Sequence, residues 1–221
     1  MHKPEQHQPV LLKAIELILA RPSDISKHVR IVKERYQHRF GKRLNEADLR
    51  NKLADKIIAS YSTKAGLSGG ATGLIGIVPG LGTAVEIFGG ATADMALCLK
   101  YQVEMSMALA SLYGHDIESD SDRKQYFIMA GLSTINMEAI KQGGEQAAKL
   151  FSRMLQHYLR EATFDTVRIL FRKVTITLSK KALQKAIPFG VGAVIGFSSN
   201  KALTWVVGQR IKTHFASASG S

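Results

Sequence analysis

The chain of 221 residues contains little cysteine, and this excludes several classes of protein. Its single cysteine, Cys98, rules out an intramolecular disulfide and a cysteine-rich zinc site. The first residues also lack the basic segment, the apolar segment and the small-residue cleavage site of a secretory signal. We therefore expect a protein of a reducing compartment and exclude a secreted module built on disulfides.

Signatures of catalysis and of metal binding are missing as well. The seven histidines show no spacing typical of metal ligands. The glycine-rich runs do not end in the Gly-Lys-Ser/Thr of a phosphate-binding loop, and neither a Gly-x-Ser-x-Gly elbow nor a pair of catalytic carboxylates occurs. We expect no metal and no cofactor, and enzymatic activity has no positive support in the sequence.

Runs of strictly alternating apolar and polar residues, typical of β-strands, are also absent. Apolar residues instead recur at three- and four-residue spacing almost throughout the chain. This pattern predicts an all-α protein, a helical bundle with two central glycine-rich apolar hairpin segments. We divide it into a basic N-terminal helical extension (residues 1–44), a helical domain (45–215) and a disordered tail (216–221).

Local signals place several helix ends. Asn45, three residues ahead of an acidic residue, predicts a capped helix start. The apolar pattern over residues 84–113 predicts one long helix that Gly114 ends. We expect a further break near Gly131 or at residues 143–144.

Glycine is concentrated where charge is lacking. Of 19 glycines, nine lie within residues 65–90 and four within residues 186–208. Residues 65–85 carry no formal charge, a length of 21 residues that could span a bilayer. In a helix, however, each Gly costs about 1 kcal/mol and Pro79 about 3 kcal/mol, so a hairpin turning at Pro79 fits better. Two interpretations stay open: the packed centre of a soluble helical domain, or a membrane contact.

Positive charge is concentrated in the last third of the chain. The sequence has 30 Lys and Arg against 18 Asp and Glu, a net charge of +12. From Phe151 to the last residue the sequence contains eleven of these Lys and Arg residues but only two acidic residues, Glu161 and Asp165. The imbalance predicts attraction to a polyanion. Anionic lipid is the favoured partner; nucleic acid is less favoured, because it does not explain the apolar hairpins and no recognisable binding motif occurs.

Three groups of candidate site residues follow from these patterns. If the two apolar segments pack together, they bring polar residues into a network that is either structural or a site for an ion, a proton or a headgroup. Residues beside the glycines are candidate lipid contacts, and the basic helix supplies candidate headgroup-binding residues. The polar network comprises Glu86, Asp94, Asn200 and Lys201; the lipid contacts are Pro79, Leu81, Phe189, Phe197 and Trp205; the headgroup residues are Arg168, Arg172, Lys173, Lys180 and Lys181.

Three motifs give the chain a resemblance to a known family. They are the hairpin residues 69–73 and 77–80 followed by Asp94, the segment 110–116 followed by Arg123, and the segment 187–196 leading to Asn200. In this order and spacing they resemble the EcsC protein family, bacterial proteins named after the third component associated with an ABC-transporter operon. The resemblance implies a mostly helical, often membrane-associated protein whose activity is undefined.

We therefore expect a membrane-associated or lipid-binding protein, cytoplasmic and peripheral at the inner face of the cytoplasmic membrane. Anionic lipid is the expected partner, and a transporter or another membrane protein is a further one. The first alternative is a soluble helical adaptor that binds an acidic partner. The second is an enzyme acting on a lipid, with Asp94 or His115 as acid or base.

Overall fold

A computed structural model describes residues 9–41, 43–68, 77–136, 145–160, 163–184 and 191–218. All regular secondary structure in these ranges is helical, which confirms the all-α prediction. The helices are α1 (Val10–Ile18), α2 (Pro22–Phe40), α3 (Glu46–Leu67), α4 (Leu81–Phe88), α5 (Gly90–Leu112), α6 (Asp120–Ile135), α7 (Glu145–Arg160), α8 (Phe164–Gln184) and α9 (Val191–Ala218).

Helix α5 is the centre of the fold. Every residue from Leu99 to Ala110 is buried, and α1, α2, α3, α4, α6 and α9 pack around it. Helix α6 in turn supports α7 and α8, and α9 also covers α3. Because α5 has no solvent-facing side along these turns, its polar side chains must find partners inside the protein.

The N-terminal segment is built into the same core. Helices α1 and α2 both pack on α5, and α1 also contacts α4 and α8. Leu11, Ile15 and Ile25 are buried members of the central cluster. The expected N-terminal extension therefore shares one core with the helices that follow it.

Two helix starts follow the sequence signals. The Asn45 side chain caps α3, because its Oδ1 accepts the backbone N–H of Asp48 at 2.8 Å. At the start of α6, Ser119 Oγ accepts the N–H of Asp122 at 3.2 Å. Helix α5 ends before Gly114, whose φ of +88° lies in the region that favours glycine. Both the cap at Asn45 and the end at Gly114 confirm the predictions.

The prediction of a single helix over residues 84–113 is wrong. Gly89 interrupts it with a φ of +82° and separates the short α4, which packs on α1, from α5 in the core. The expected break near Gly131 does not occur either, and its alternative at residues 143–144 lies outside the described residues. A Cβ at Gly131 would be 2.7 Å from Leu170 Cδ2, so this glycine permits close packing of α6 on α8.

The turn expected at Pro79 is confirmed. Gly80 follows with a φ of +80°, and a Cβ there would lie 2.8 Å from the carbonyl oxygen of Leu17. Residues 69–76 of the first hairpin are outside the described residues. At the other end of the chain α9 continues to Ala218, so residues 216–218 of the expected disordered tail are helical.

Candidate functional site

Helix α8 carries an unusual surface. Ile169 is 51% exposed and Ile176 is 53% exposed, and they lie two turns apart on one side of the helix. Arg172 and Lys173 are exposed between them. We call these four residues the α8 face. The opposite side of α8 packs on α6 and α1 through Val167, Leu170, Phe171 and Val174.

The α8 face carries only positive charge. The last acidic residue of the sequence is Asp165, at the start of α8. Its carboxylate accepts a hydrogen bond from Arg168 Nη1 at 2.9 Å, which pairs the acid with a cation of the same helix. The face is therefore aliphatic and cationic, a combination typical of helices that lie at an anionic membrane interface.

Exposed aliphatic residues also border the first glycine-rich hairpin. Leu67 at the end of α3 is 55% exposed, Ile77 is 72% exposed and Ile87 on α4 is 63% exposed. Leu17 on α1, whose carbonyl meets the turn at Gly80, is exposed as well. We call Leu17, Leu67, Ile77 and Ile87 the hairpin-flanking residues.

The predicted lipid contacts have different environments. Pro79 is exposed, and Trp205 on α9 is half-exposed. Leu81 is fully buried in the core, because α4 turns it toward α5 and α1 and leaves Ile77 and Ile87 at the surface instead. Phe189 and the side chain of Phe197 lie outside the described residues.

The predicted headgroup residues all belong to α8. Arg172 and Lys173 are exposed in the α8 face, and Arg168 is the partner of Asp165 described above. The side chains of Lys180 and Lys181 lie outside the described residues.

The predicted polar network lies on three helices. Glu86 is exposed on α4, and Asp94 is half-buried near the start of α5. Asn200 is half-buried and Lys201 is exposed on α9.

The packing of α9 on α5 fixes the level of these residues. Gly208 of α9 lies against Met105 of α5, and the helices run in the same direction, since their C-terminal ends meet in a ring stack. Two turns earlier this register puts Lys201 at the level of Cys98, one turn after Asp94. This register places Lys201 of α9 near the start of α5, while Glu86 is exposed on α4.

A buried ion pair lies elsewhere, and sequence reasoning missed it. Lys100 Nζ donates to Glu104 Oε1 at 2.5 Å, and their side chains are only 8% and 5% exposed. The same oxygen accepts the backbone N–H of Ala20 at 2.8 Å. A Lys and a Glu four residues apart in a helix without a polar side are the signal that could have identified the pair.

Two tyrosines and a second lysine surround this pair. Burial raises the pKa of Tyr61, and the negative charge of Glu104 adds to the effect; the same two causes raise the pKa of Tyr101. Burial lowers the pKa of Lys64, whose ammonium lies 4.7 Å from the Tyr61 ring centre. The two phenols therefore stay neutral near Glu104. The hydrogen bond from Ala20 to Glu104 ties the α1–α2 turn to α5.

Two histidines meet at the opposite end of α5. The rings of His115 and His214 lie 5.0 Å and 5.6 Å from the Phe215 ring. Burial lowers the pKa of His214 below its ordinary value, and the nearby His115 charge lowers it further. His115, the candidate acid or base of the enzyme alternative, is exposed.

This histidine pair predicts a pH dependence of stability. Because the folded state holds the pKa of His214 down, the unfolded chain binds the proton more readily as the pH falls through the ordinary histidine value of about 6.5. Stability should therefore fall with acidification in that range. In thermal unfolding, His214→Asn should lose less stability between about pH 8 and pH 5.5 than the parent does. An equal loss in both proteins would contradict the prediction.

Two further features bear on function. Within the described ranges, no three His, Cys, Asp or Glu side chains are grouped as a metal site requires. No helix in the described part of the chain combines the length and hydropathy needed to cross a bilayer.

The family model of the EcsC protein family matches residues 3–216. Since the match covers nearly the whole chain, the protein belongs to this family. The match begins well before Asn45, so the N-terminal helices are included in it. No curated protein and no solved structure matches the chain significantly.

Proposed function

We propose that this EcsC family protein binds membranes peripherally, with the α8 face against anionic lipid. The observation that carries the proposal is the pair of half-exposed isoleucines, Ile169 and Ile176, on a surface whose charges are cationic. In water these side chains leave apolar area exposed. At an anionic interface the isoleucines enter the region below the headgroups while Arg172 and Lys173 meet the phosphates.

The energies suit reversible binding. Burying the exposed part of each isoleucine contributes roughly 1 kcal/mol. Each cation near an anionic surface contributes about 1 kcal/mol. The four residues of the α8 face together reach about 4 kcal/mol, which corresponds to a dissociation constant on the order of 1 mM. Stable attachment therefore needs a second contact, for which the hairpin-flanking residues are the best candidates.

We place this contact at the inner face of the cytoplasmic membrane, where anionic lipids generate a negative surface potential. A transporter or another membrane protein would be reached from the same surface. An acidic soluble partner would be attracted by Arg172 and Lys173 as well, but it offers no apolar phase for the isoleucines. This difference separates the membrane proposal from the adaptor alternative.

Paired substitutions on the α8 face test the proposal. The double variant Ile169→Asp/Ile176→Asp should lower partitioning into phosphatidylglycerol-containing vesicles at least tenfold, because it removes apolar area and adds negative charge. Arg172→Gln/Lys173→Gln should weaken binding mainly at low salt, since exposed charges are screened at high salt. Co-sedimentation with the vesicles measures both effects.

The matched control for this experiment is Val10→Asp on α1, because Val10 is 53% exposed, as much as Ile176. This variant should partition like the parent protein. The proposal fails if both α8 variants, with unchanged melting temperatures, sediment with vesicles as the parent does.

A further inference from the structure

A cavity of about 320 Å³ lies between α1, α6 and α8, at the end where α8 begins. Arg123 and Lys124 supply two cations to its lining, and Glu16 and Asp120 supply two carboxylates. The α8 face starts about one turn further along the same helix. A membrane surface that contacts the α8 face would therefore lie close to this cavity.

One N–H donor of the Arg123 guanidinium has no hydrogen-bond acceptor among the described residues. This donor is Nε, which is buried although the side chain as a whole is 40% exposed. Its Nη1 is 3.5 Å from Asp120 Oδ1, too long for a strong hydrogen bond. A buried guanidinium N–H without an acceptor is costly, and the fork of Nε and Nη matches two oxygens of a phosphate or carboxylate.

Lys124 adds a second positive group beside an aromatic wall. Its ammonium lies 4.6 Å from the centre of the Phe164 ring, and Phe164 is 51% exposed. Deeper in the cavity Phe127 and Val167 are buried and apolar. A ligand that contacts both cations would thus also contact apolar surface.

The two carboxylates decide what kind of ligand fits. A group with negative charge alone would be attracted by Arg123 and Lys124 but repelled by Glu16 and Asp120. A zwitterion that carries a phosphate and an ammonium complements both pairs. We propose that the cavity binds a phosphoethanolamine group, with its phosphate on Arg123 and Lys124 and its ammonium at Glu16 and Asp120.

Such a group comes either from a phospholipid headgroup or from a free phosphate ester. The lipid as source rests on the proposed function, whereas recognition of the group itself does not. Exposed Phe164 at the opening favours the lipid, because it offers apolar contact to the glycerol and acyl part.

Calorimetric titration of the full-length protein with short-chain lipids below their micelle concentration tests the inference. Dihexanoylphosphatidylethanolamine should bind at least fivefold more tightly than dihexanoylphosphatidylglycerol, which lacks the ammonium. Glycerophosphoethanolamine, the deacylated ester, should bind more weakly than the short-chain lipid if the lipid is the source, and equally if a free ester is.

Variants assign the contacts. Arg123→Gln should weaken binding of both short-chain lipids at least tenfold. Glu16→Gln should weaken only the ethanolamine lipid and so abolish the preference. Arg21→Gln is the control, because Arg21 is an exposed arginine that also pairs with an aspartate three residues away. Lys124→Gln gives a second test of the phosphate contact if Arg123→Gln lowers the melting temperature.

The inference is overturned by undetectable binding of the ethanolamine lipid, by equal binding of both lipids, or by binding that neither Arg123→Gln nor Lys124→Gln changes. Its failure is separable from that of the proposed function. Short-chain lipid binding without vesicle binding would retain the cavity site and reject the membrane contact of the α8 face. The reverse result would reject the cavity site alone.

Discussion

Replacing Glu104 by alanine should lower the free energy of unfolding by about 3–5 kcal/mol. The Lys100 side chain is only 8% exposed in the parent protein, and the substitution leaves its ammonium without an anionic partner. It also removes the acceptor of the Ala20 N–H, so the turn between α1 and α2 loses its tie to α5. In a chain of this length the melting temperature should fall by on the order of 10 °C.

The chain contains a matched control for this prediction. Glu145 and Lys149 on α7 form a pair of the same residue types four residues apart, with N and O 2.7 Å from each other. Their side chains are 82% and 66% exposed, so solvent screens the attraction. Glu145→Ala should therefore cost less than about 0.5 kcal/mol. Equal effects of Glu145→Ala and Glu104→Ala would contradict a structural role for the buried pair.

A double replacement separates the pair's net contribution from the cost of breaking it. Lys100→Met/Glu104→Leu removes both buried charges together and keeps similar volume. It should recover most of the loss seen in Glu104→Ala, since isolated buried charge is what destabilises. If the double variant is less stable than the single one, the ion pair itself stabilises the fold.

Gly208→Ala should destabilise the protein by about 1–3 kcal/mol. The added Cβ would lie 2.8 Å from both Cγ atoms of Ile58 and 2.9 Å from Met105 Sδ, where α9 packs between α3 and α5. The sign is diagnostic, because alanine in a helix without such contacts is more stable than glycine by about 1 kcal/mol. Chemical denaturation of parent and variant measures the difference.

A second substitution tests the cause of that effect. Ile58→Ala removes both atoms that the new Cβ would meet and costs about 2–5 kcal/mol on its own. The double variant Gly208→Ala/Ile58→Ala should be more stable than the sum of the single effects predicts. Strict additivity would show that the two helices adjust without steric conflict.

The helical class and several boundaries could be predicted because their causes are local. The side chain of Asn45 bonds to an amide three residues away, and Gly114 takes a backbone angle that other residues avoid. Neither depends on what the helix packs against. A single sequence is therefore enough to predict helix ends of this kind.

The glycines show where local reasoning stops. Gly89 breaks a helix and Gly131 does not, although both lie in helical patterns. The difference is tertiary, because Gly131 faces Leu170 of α8 and Gly208 faces Ile58 of α3. Residues distant in sequence decide whether a glycine packs against a neighbouring helix or takes a positive φ that ends a helix.

The candidate site was predictable only in part. Arg172 and Lys173 were identified from charge, but the exposure of Ile169 and Ile176 depends on which side of α8 meets α6. The same limit led us to name Leu81, which is buried, rather than Ile77 and Ile87. From sequence alone, the apolar residues of a basic helix are predicted to belong to the core. Only the packing of the helix shows which of them are exposed.

Co-sedimentation of the full-length protein with vesicles, at low and high salt and without detergent, tests membrane binding most directly. The protein should sediment with phosphatidylglycerol-containing vesicles and far less with phosphatidylcholine vesicles. Part of the binding should persist at high salt, because the contribution of the isoleucines is not screened. Absence of sedimentation with either vesicle at low salt would contradict membrane binding and leave the soluble adaptor as the better explanation.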